Sequence, residues 1–559
     1  MHSLLLRAVP LVLCLAITEP AISQTAAAPA AAEQPRQLTA EQWREDLEFM
    51  AAEMKRRHAN LYHTVSRQEF EAAVADLHAR IPSMQRNEII VGLMRIAAMV
   101  GDGHTRVDPR KDPKFAFQSL PLKLYLFEDG LFVRAARPDH AALVGAEIVE
   151  IGGVPVAEAI RRTHTISSVD NAIGYRLFAP LYLAMPGVLH ALKLSSSPDS
   201  ATLKVRKGGR TWTVSVPAGQ VDPLWPADTD VSLVTPDGWV EARSAKQPLW
   251  LQSPLDYHRL IPLPDSRALY AQLNMVTGVE GQSLAQFGEK IRRQAEAANP
   301  RALVLDMRLN LGGNHDLRHG FIRELVKAED EDTRLFVLTG RGTFSASEAI
   351  LVDLDRLTDS VFIGEPAASK PNSFGDSYRT ALPNSEISIR TSIQFNQLKG
   401  QSTDPWTWVD VAAPYRFADY AAGRDPALAA ALGRQPQPSL AEQLRDAATG
   451  ADVSRISDSF TIDPVNRYAD VERQMLIGAQ TLAGGKHSEA ALRLAELAAE
   501  RFPQSHDSQL VYGILLERAG RLAAASDAAR RALTLDPNSR QARSLLERVQ
   551  EKIQKEPSQ

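Results

Sequence analysis

The first part of the chain repeats apolar residues with the period of an α-helix. From Trp43 onward, apolar side chains recur three, four or seven positions apart. The segment SRQEF, which begins at Ser66, is a capping-box sequence that predicts the start of a second helix. A third apolar series ends at Gly101. The pattern predicts an N-terminal helical domain over 39–112, which ends in the loop GDGHTRVDP.

Between 113 and 218 the apolar period changes to the alternation that is typical of β-strands. Glycine, proline and aspartate separate short runs in which about every second residue is apolar. The stretch from Gly130 to Ile160 resembles PDZ domains, with a strand, a small-residue helical turn, a strand, a glycine turn and a helix start. A small β-barrel with a helix explains the pattern equally well. We expect a β-rich, PDZ-like module over 113–218.

From 219 to 432 the pattern indicates strands that alternate with helices. Runs that are apolar throughout begin at Arg301, Arg334 and Ser360, and amphipathic helices follow the first two. Strands of this kind are buried on both faces, as in parallel sheets that are covered by helices. The sequence therefore predicts an α/β core of βαβ units.

The remainder of the chain is predicted to be a linker, over 433–470, and a helical tail, over 471–559. In the tail, Pro503 and Pro537 are 34 residues apart, and alanine pairs recur at the same period. This period resembles that of tetratricopeptide (TPR) repeats, which implies a protein partner for the tail. A helical cap packed on the α/β core is the alternative, because two repeats are few for a solenoid.

The N-terminus has the composition of an export signal. Arg7 precedes a short apolar run, and a small-x-small cleavage sequence ends at Ser23. Glu19 interrupts this run too early for a membrane anchor, which needs about 20 apolar residues. We therefore expect a cleaved signal peptide over 1–23, an Ala/Pro-rich tether over 24–38, and a periplasmic or secreted protein.

Charge and cysteine content argue against several kinds of site. A net charge of -4 without a long basic run gives no reason to bind nucleic acid. Cys14 is the only cysteine and lies in the predicted signal peptide, so the mature chain has no thiol for catalysis or metal binding. His315 and His319 have the spacing of a metal-binding pair, but no third ligand accompanies them. We expect neither a metal nor an organic cofactor.

The loops after the core strands carry the candidate chemistry, because parallel α/β sheets bind ligands at these ends. In one loop Ser345 precedes Glu348 by three residues, and a capping box would explain this pair by backbone hydrogen bonds alone. A serine at a helix N-terminus also lies beside free N–H groups that suit an oxyanion, so it is a candidate nucleophile. The N–H of Ala346 and that of Gly312 or Gly313 are the candidate oxyanion-hole donors.

A serine nucleophile needs a base, and the sequence offers two. His104 lies in a glycine-flanked loop, and an ordinary histidine pKa of about 6.5 suits neutral conditions. Lys370 follows Ser345 by 25 residues and would need a pKa that burial depresses. The non-catalytic alternatives are a turn residue for His104 and a solvated loop residue for Lys370. Glu365 is a candidate either to orient the base or to cap a strand end.

The ordered motifs GDGHT, LDMRLNLGGN, TFSASE, IGEP and PNSFGDSYRTALPNSEISIRTS resemble the S41 family of serine peptidases, the tail-specific or C-terminal processing proteases. The resemblance covers about 40–432. It implies a multidomain α/β serine endopeptidase that hydrolyses peptides or unfolded proteins through an acyl-enzyme. It also implies that Ser345 is the nucleophile, with Ser347 as the second choice.

The resemblance bears on the base as well. In the tail-specific branch of the family a lysine at the spacing of Lys370 is the base, whereas branches that resemble tricorn protease use an upstream histidine. The segments GDGHT, LPNSEISIRTS and AGRDPALAAAL resemble the histidine branch, and Arg356 stands where the lysine branch has an acidic or similar polar residue. We therefore favour His104 over Lys370. The rival hypothesis is a catalytically inactive scaffold that binds peptides or proteins through the β module and the tail.

Overall fold

A computed structural model of the protein describes residues 37–107, 117–219, 233–244, 246–433, 438–445, 447, 449–484 and 487–555. The predicted signal peptide, Cys14 and all but the last two residues of the predicted tether lie outside the described residues. Within the described ranges, no helix combines the length and the apolar character that a membrane crossing requires.

Three helices form the N-terminal unit, as the apolar pattern predicts. They are Ala40–Arg57, Arg67–Arg80 and Arg86–Ala98, and a 3-10 turn, Ile81–Ser83, lies between the last two. The Ser66 hydroxyl accepts the N–H of Glu69, whose carboxylate accepts the N–H of Ser66, so the predicted capping box is confirmed. The buried face of these helices belongs to the same hydrophobic cluster as the β module. The two predicted domains therefore share one core.

The β module is an antiparallel sheet that is covered by helices. Its main strands, in spatial order, are Leu122–Phe127, Gly130–Ala136, Glu147–Ile151, Ser200–Lys207 and Arg210–Pro217, and Val154–Pro155 and Val240–Glu241 pair with this sheet. Helical segments also lie in the module: Pro138–Leu143, Val156–His164, Ala172–Leu183 and Pro186–Ala191.

Two features of the module differ from the sequence prediction. The strand Val240–Glu241 lies beyond the predicted boundary at 218, because pairing with Gly130–Ala136 returns the chain to this sheet. The helix Ala172–Leu183 was not predicted, because it is largely buried and apolar on most sides and contains Pro180. An alternation of apolar and polar residues is absent from such a helix. The likeness to PDZ domains stays a prediction.

The α/β core is built on a six-stranded sheet. Its strands, in spatial order, are Val411–Ala412, Val361–Gly364, Arg334–Thr339, Ala302–Asp306, Ala268–Leu273 and His258–Leu263. All neighbours are parallel except the last pair. The predicted parallel strands are thus present. Their apolar character follows from burial on both faces, since separate hydrophobic clusters cover the two sides of the sheet.

Helices cover this sheet. Leu284–Ala298, Arg318–Ala328 and Ala346–Leu357 pack against one face, and Pro426–Gly433 packs against the other. Shorter helical segments of the core are Leu249–Gln252, Pro264–Ser266, His315–Leu317 and Phe417–Ala422. His315 therefore lies in a 3-10 turn before the helix that contains His319, and the two histidines do not share one continuous α-helix as their spacing suggested.

A second, three-stranded antiparallel sheet lies beside the core. It consists of Asn372–Ala381 and Ser388–Gln397, which we call the site hairpin, and of Arg106–Val107, which pairs with the second strand of the hairpin. This short strand directly follows the loop that contains His104. The pairing therefore brings a loop of the N-terminal unit to the α/β core.

The C-terminal region is a series of helices. They are Leu440–Gln443, Gly450–Ile462, Val471–Gly484, Ser488–Arg501, His506–Arg518, Leu522–Leu535 and Arg540–Lys555, with a 3-10 turn at Pro464–Asn466. One hydrophobic cluster contains residues from all of these longer helices and also Leu440, Leu444, Val453 and Phe460. Much of the predicted linker 433–470 is therefore packed into the tail. The linker prediction rested on the proline- and glutamine-rich start of this segment, and it did not include the helix Gly450–Ile462 that follows. The TPR identity of the tail stays a prediction.

Candidate active site

Ser345 lies at the junction between a loop of the core and the helix Ala346–Leu357. Its backbone has φ 61° and ψ -123°, a combination that residues with a side chain rarely adopt. The N–H of Ser345 donates to the Oγ of buried Ser369 at 2.8 Å, which holds the strained turn from the next loop. The turn directs the hydroxyl away from the helix that it begins, because that hydroxyl makes no capping hydrogen bond.

The capping-box interpretation of Ser345 is therefore wrong. Glu348 instead accepts hydrogen bonds from the N–H and the hydroxyl of Thr407. Ser347, the second-choice nucleophile, is fully buried, and its hydroxyl donates to the carbonyls of Asn310 and Phe344. Ser345 therefore lines the cleft, whereas the hydroxyl of Ser347 is used in hydrogen bonds within the fold.

The loop NLGGN, residues 310–314, packs directly against Ser345. A methyl group on Gly312 would lie 2.8 Å from the Cβ of Ser345, so only glycine allows this approach. The N–H of Gly312 donates to Oδ1 of Asn310. Gly313 pairs with Val276 through hydrogen bonds of its two neighbours, so its own N–H points away from that strand. Among the residues that the structure describes, the N–H groups of Gly313 and Ala346 have no hydrogen-bond partner.

His104 completes this arrangement from 241 residues away in the sequence. Its Nε2 lies 3.0 Å from Oγ of Ser345. The imidazole stacks on the ring of Phe344, with 4.6 Å between ring centroids and 26° between planes. Nδ1 is buried and has no hydrogen-bond partner among the residues that the structure describes. The ring is therefore positioned by stacking and by its loop.

Sequence analysis missed the buried pair that holds the His104 loop. Oδ1 of Asp102 accepts the N–H groups of His104 and Thr105 at 2.8 and 2.6 Å. Its Oδ2 lies 3.0 Å from Nε2 of His58, which carries the ring proton because Nδ1 accepts the N–H of Asn60. Ser392 of the site hairpin also donates to Oδ1. No sequence signal identifies His58, because only folding places the end of the first helix beside this loop.

Burial dominates the electrostatics of the site. It lowers the pKa of His104 to about 4, although the charge of Asp102 opposes this effect. Burial disfavours ionisation of Asp102, but the hydrogen bonds from His58, Ser392 and Thr105 hold its pKa down at about 2. Burial raises the pKa of Asp170, beside Gly103, to about 7, and that of Glu348 to about 7. His104 is therefore neutral at physiological pH.

A cleft of about 550 Å³ opens over Ser345 and His104. Polar side chains make up much of its wall, including His315, Asp376 and Lys370. In the part of the chain that the structure describes, no hydrogen bond joins the amine of Lys370 to Ser345. Glu365 forms a two-point ion pair with Arg341, at 2.8 Å for each contact, and does not contact His104. The hypothesis that Glu365 orients the base therefore finds no support in its contacts.

Solved structures of proteases resemble this chain. Mature CPAF is 14% identical over 69% of this chain and 95% of its own, with a TM-score of 0.46. The photosystem II D1 C-terminal processing protease is 14% identical over 69% of this chain and 98% of its own, with a TM-score of 0.32. For the tricorn protease the identity is 14% over 70% of this chain and 36% of its own, with a TM-score of 0.29. No protein-family model matches the chain, and no curated protein is significantly similar to it.

Proposed function

We propose that this protein is an exported serine endopeptidase of the S41 type, with Ser345 as the nucleophile and His104 as the base. The observation that carries the proposal is the 3.0 Å separation of Oγ of Ser345 and Nε2 of His104 at the floor of an open cleft. A nucleophile and a base within hydrogen-bond reach are the geometric requirement for such catalysis.

In the proposed reaction, Oγ of Ser345 attacks the carbonyl carbon of a peptide bond and its proton passes to Nε2 of His104. The negative charge that develops on the carbonyl oxygen is stabilised by the N–H groups of Ala346 and Gly313. The C–N bond then breaks, and the leaving amine takes the proton from His104. Water, deprotonated by the same imidazole, attacks the ester, and the imidazole returns that proton to Oγ of Ser345 as the acid product leaves.

Three features around the pair support this assignment. The strained backbone of Ser345 exposes its hydroxyl instead of using it as a helix cap. Gly313 and Ala346, the proposed oxyanion-hole residues, line the same cleft as Ser345. Burial keeps His104 in the neutral form that accepts a proton. Lys370, in the same cleft, is proposed to contact substrate rather than to act as the base.

A serine-directed fluorophosphonate tests the proposal. We expect the full-length protein to be labelled once, on a peptide that contains Ser345, and Ser345→Ala to abolish both the labelling and the hydrolysis of an unfolded protein such as β-casein. Ser347→Ala is the matched control, because this serine lies two residues away with its hydroxyl committed to carbonyls. Equal labelling of wild type and Ser345→Ala would assign the nucleophile to another residue, and a wild type that is neither labelled nor active would favour an inactive scaffold.

A further inference from the structure

A large groove lies between the α/β core and the helical tail. One wall is formed by the helix Ala346–Leu357 and the loop 398–404. The other is formed by the tail helix Val471–Gly484 and by the turns that follow the helices Ser488–Arg501 and Leu522–Leu535. We call it the tail groove. Its volume is about 1,960 Å³, whereas sites for small molecules usually occupy about 300–1,000 Å³. The size fits a segment of polymer better than a small ligand.

The tail groove lies next to the catalytic cleft. Leu398 lines both. The second strand of the site hairpin contributes Gln394 and Asn396 to the cleft, and the loop that follows this strand contributes Lys399 and its neighbours to the groove. One continuous segment therefore forms a wall of each. The cleft and the groove are therefore neighbours along this segment.

The lining of the tail groove suits a polypeptide rather than a polyanion. Six acidic and five basic side chains line it, so neither sign of charge dominates. Amide side chains such as Gln480 and Asn538 match the donors and acceptors of a peptide backbone. Leu476, Ile477 and Phe502 offer apolar contacts, and Ile477 is 41% exposed.

The tail is fixed to the core at several points around this groove. The N–H of Val409 donates to the carbonyl of Tyr468 at 3.0 Å. Arg467 also pairs, at 2.6 Å, with Glu128, which lies in the β module, and Trp406 of the core packs edge-on against Tyr468. These contacts hold the two walls in place before any ligand binds, which lowers the entropic cost of binding.

We propose that the tail groove is an exosite, a second binding site outside the catalytic cleft, for an extended segment of the polypeptide that is being cleaved. The inference rests on the proposed function, because it assigns the occupant as substrate. It predicts that long, unfolded chains are better substrates than short peptides, since only they fill the cleft and the groove together.

Ile477→Asp tests the exosite, with Ile553→Asp as the matched control. Both isoleucines are 41% exposed on tail helices, but only Ile477 lines the groove. The substrates are fluorescein-labelled β-casein and an eight-residue internally quenched peptide made from its first cleavage site. We expect Ile477→Asp to lower the ratio of kcat/KM for casein to that for the peptide about tenfold, the loss of one apolar contact. Ile553→Asp should leave the ratio unchanged.

A binding measurement separates failure of the exosite from failure of the proposed function. Fluorescence anisotropy of the labelled casein is recorded with Ser345→Ala, alone and combined with Ile477→Asp or Ile553→Asp, so that no cleavage is needed. A weaker Kd with Ile477→Asp alone supports the exosite. An equal Kd and an unchanged kcat/KM ratio overturn it, even when hydrolysis itself is observed. A wild-type dimer that Ile477→Asp converts to a monomer would also overturn it, because the occupant would then be a second copy.

Discussion

The carboxylate of Asp102 accepts the backbone N–H of His104 at 2.8 Å, and this bond ties the proposed base to the buried hydrogen-bonded pair of Asp102 and His58. The same carboxylate contacts His58 and Ser392, so it joins the first helix, the loop and the site hairpin. In the proposed mechanism Asp102 is a positioning residue, because its contacts are with His58, Ser392 and the backbone of the His104 loop.

Asp102→Asn should therefore lower kcat about 10- to 100-fold, because a small shift of the base disturbs proton transfer. Asp46→Asn is the control, since Asp46 is equally buried and accepts two backbone N–H groups at 2.8 Å, at the turn of the same hairpin. Both changes should cost about 1–3 kcal/mol of unfolding free energy. Only the first should change kcat, as measured with a short peptide; equal losses of kcat would contradict a positioning role.

His104→Ala and Lys370→Ala distinguish the two candidate bases. We expect the first to lower kcat/KM at least about 10³-fold, because the serine then has no proton acceptor within reach. The second should lower it less than about tenfold, since Lys370 lines the cleft without a hydrogen bond to Ser345. The rates are measured with the same peptide at pH 7, after thermal unfolding has shown that both variants fold. The reverse order of effects would assign the base to Lys370.

The pH dependence of kcat/KM should show the buried state of His104. The imidazole is catalytic when neutral, and burial lowers its pKa to about 4. Activity should therefore persist at pH 5 to 6 and fall with an apparent pKa of about 4 as acid protonates the ring. Initial rates in matched buffers from pH 3.5 to 8 test this. A midpoint near 6.5, the ordinary value for histidine, would mean that water reaches the ring in the free enzyme.

Gly312→Ala should inactivate the site by steric conflict. The backbone at Gly312 has φ 105°, and a methyl group there would lie 2.8 Å from Ser345 and from the carbonyl of Phe344. We expect kcat to fall at least about 100-fold. Gly153→Ala is the control, because its φ is 78° but no atom lies within 4 Å of the new methyl group. That variant should lose about 1 kcal/mol of stability from backbone strain and keep its activity. Equal kcat values for the two variants would contradict close packing at Gly312.

Glu348→Gln should make the fold less sensitive to alkaline pH. Burial raises the pKa of Glu348 to about 7 in the folded state, against an ordinary value of 4.5. Between these values the folded chain binds more protons than the unfolded chain, so stability falls as the pH rises. The variant lacks this titration while its amide oxygen still accepts from Thr407. Its unfolding free energy relative to wild type should increase by about 2 kcal/mol from pH 5 to pH 8.

Urea unfolding at the two pH values measures this difference. Glu331→Gln, a change at an exposed position, is the control and should show no such increase. A constant difference between Glu348→Gln and wild type would mean that the carboxyl is already ionised in the folded protein.

The sequence by itself determined the elements whose stability is local or whose burial is complete. The capping box at Ser66 formed as predicted, because it needs only four neighbouring residues. The three apolar runs became parallel strands, because a strand that is covered on both faces must be apolar throughout. The ordered motifs also resembled those of S41 peptidases. They predicted Ser345 as the nucleophile, and the loop that contains Gly312 and Gly313 was predicted to lie beside it.

Only the tertiary structure decided which residues meet. The motifs favoured Ser345 over Ser347, but only the fold shows that Ser345 lines the cleft and that Ser347 is buried. His104 and Lys370 were both candidates as the base, and the pairing of Arg106–Val107 with the site hairpin brought His104 to Ser345. The predicted linker is packed into the hydrophobic cluster of the tail, which also depends on contacts with distant segments. Local patterns specify backbone conformation, whereas contacts between distant segments depend on how whole surfaces pack.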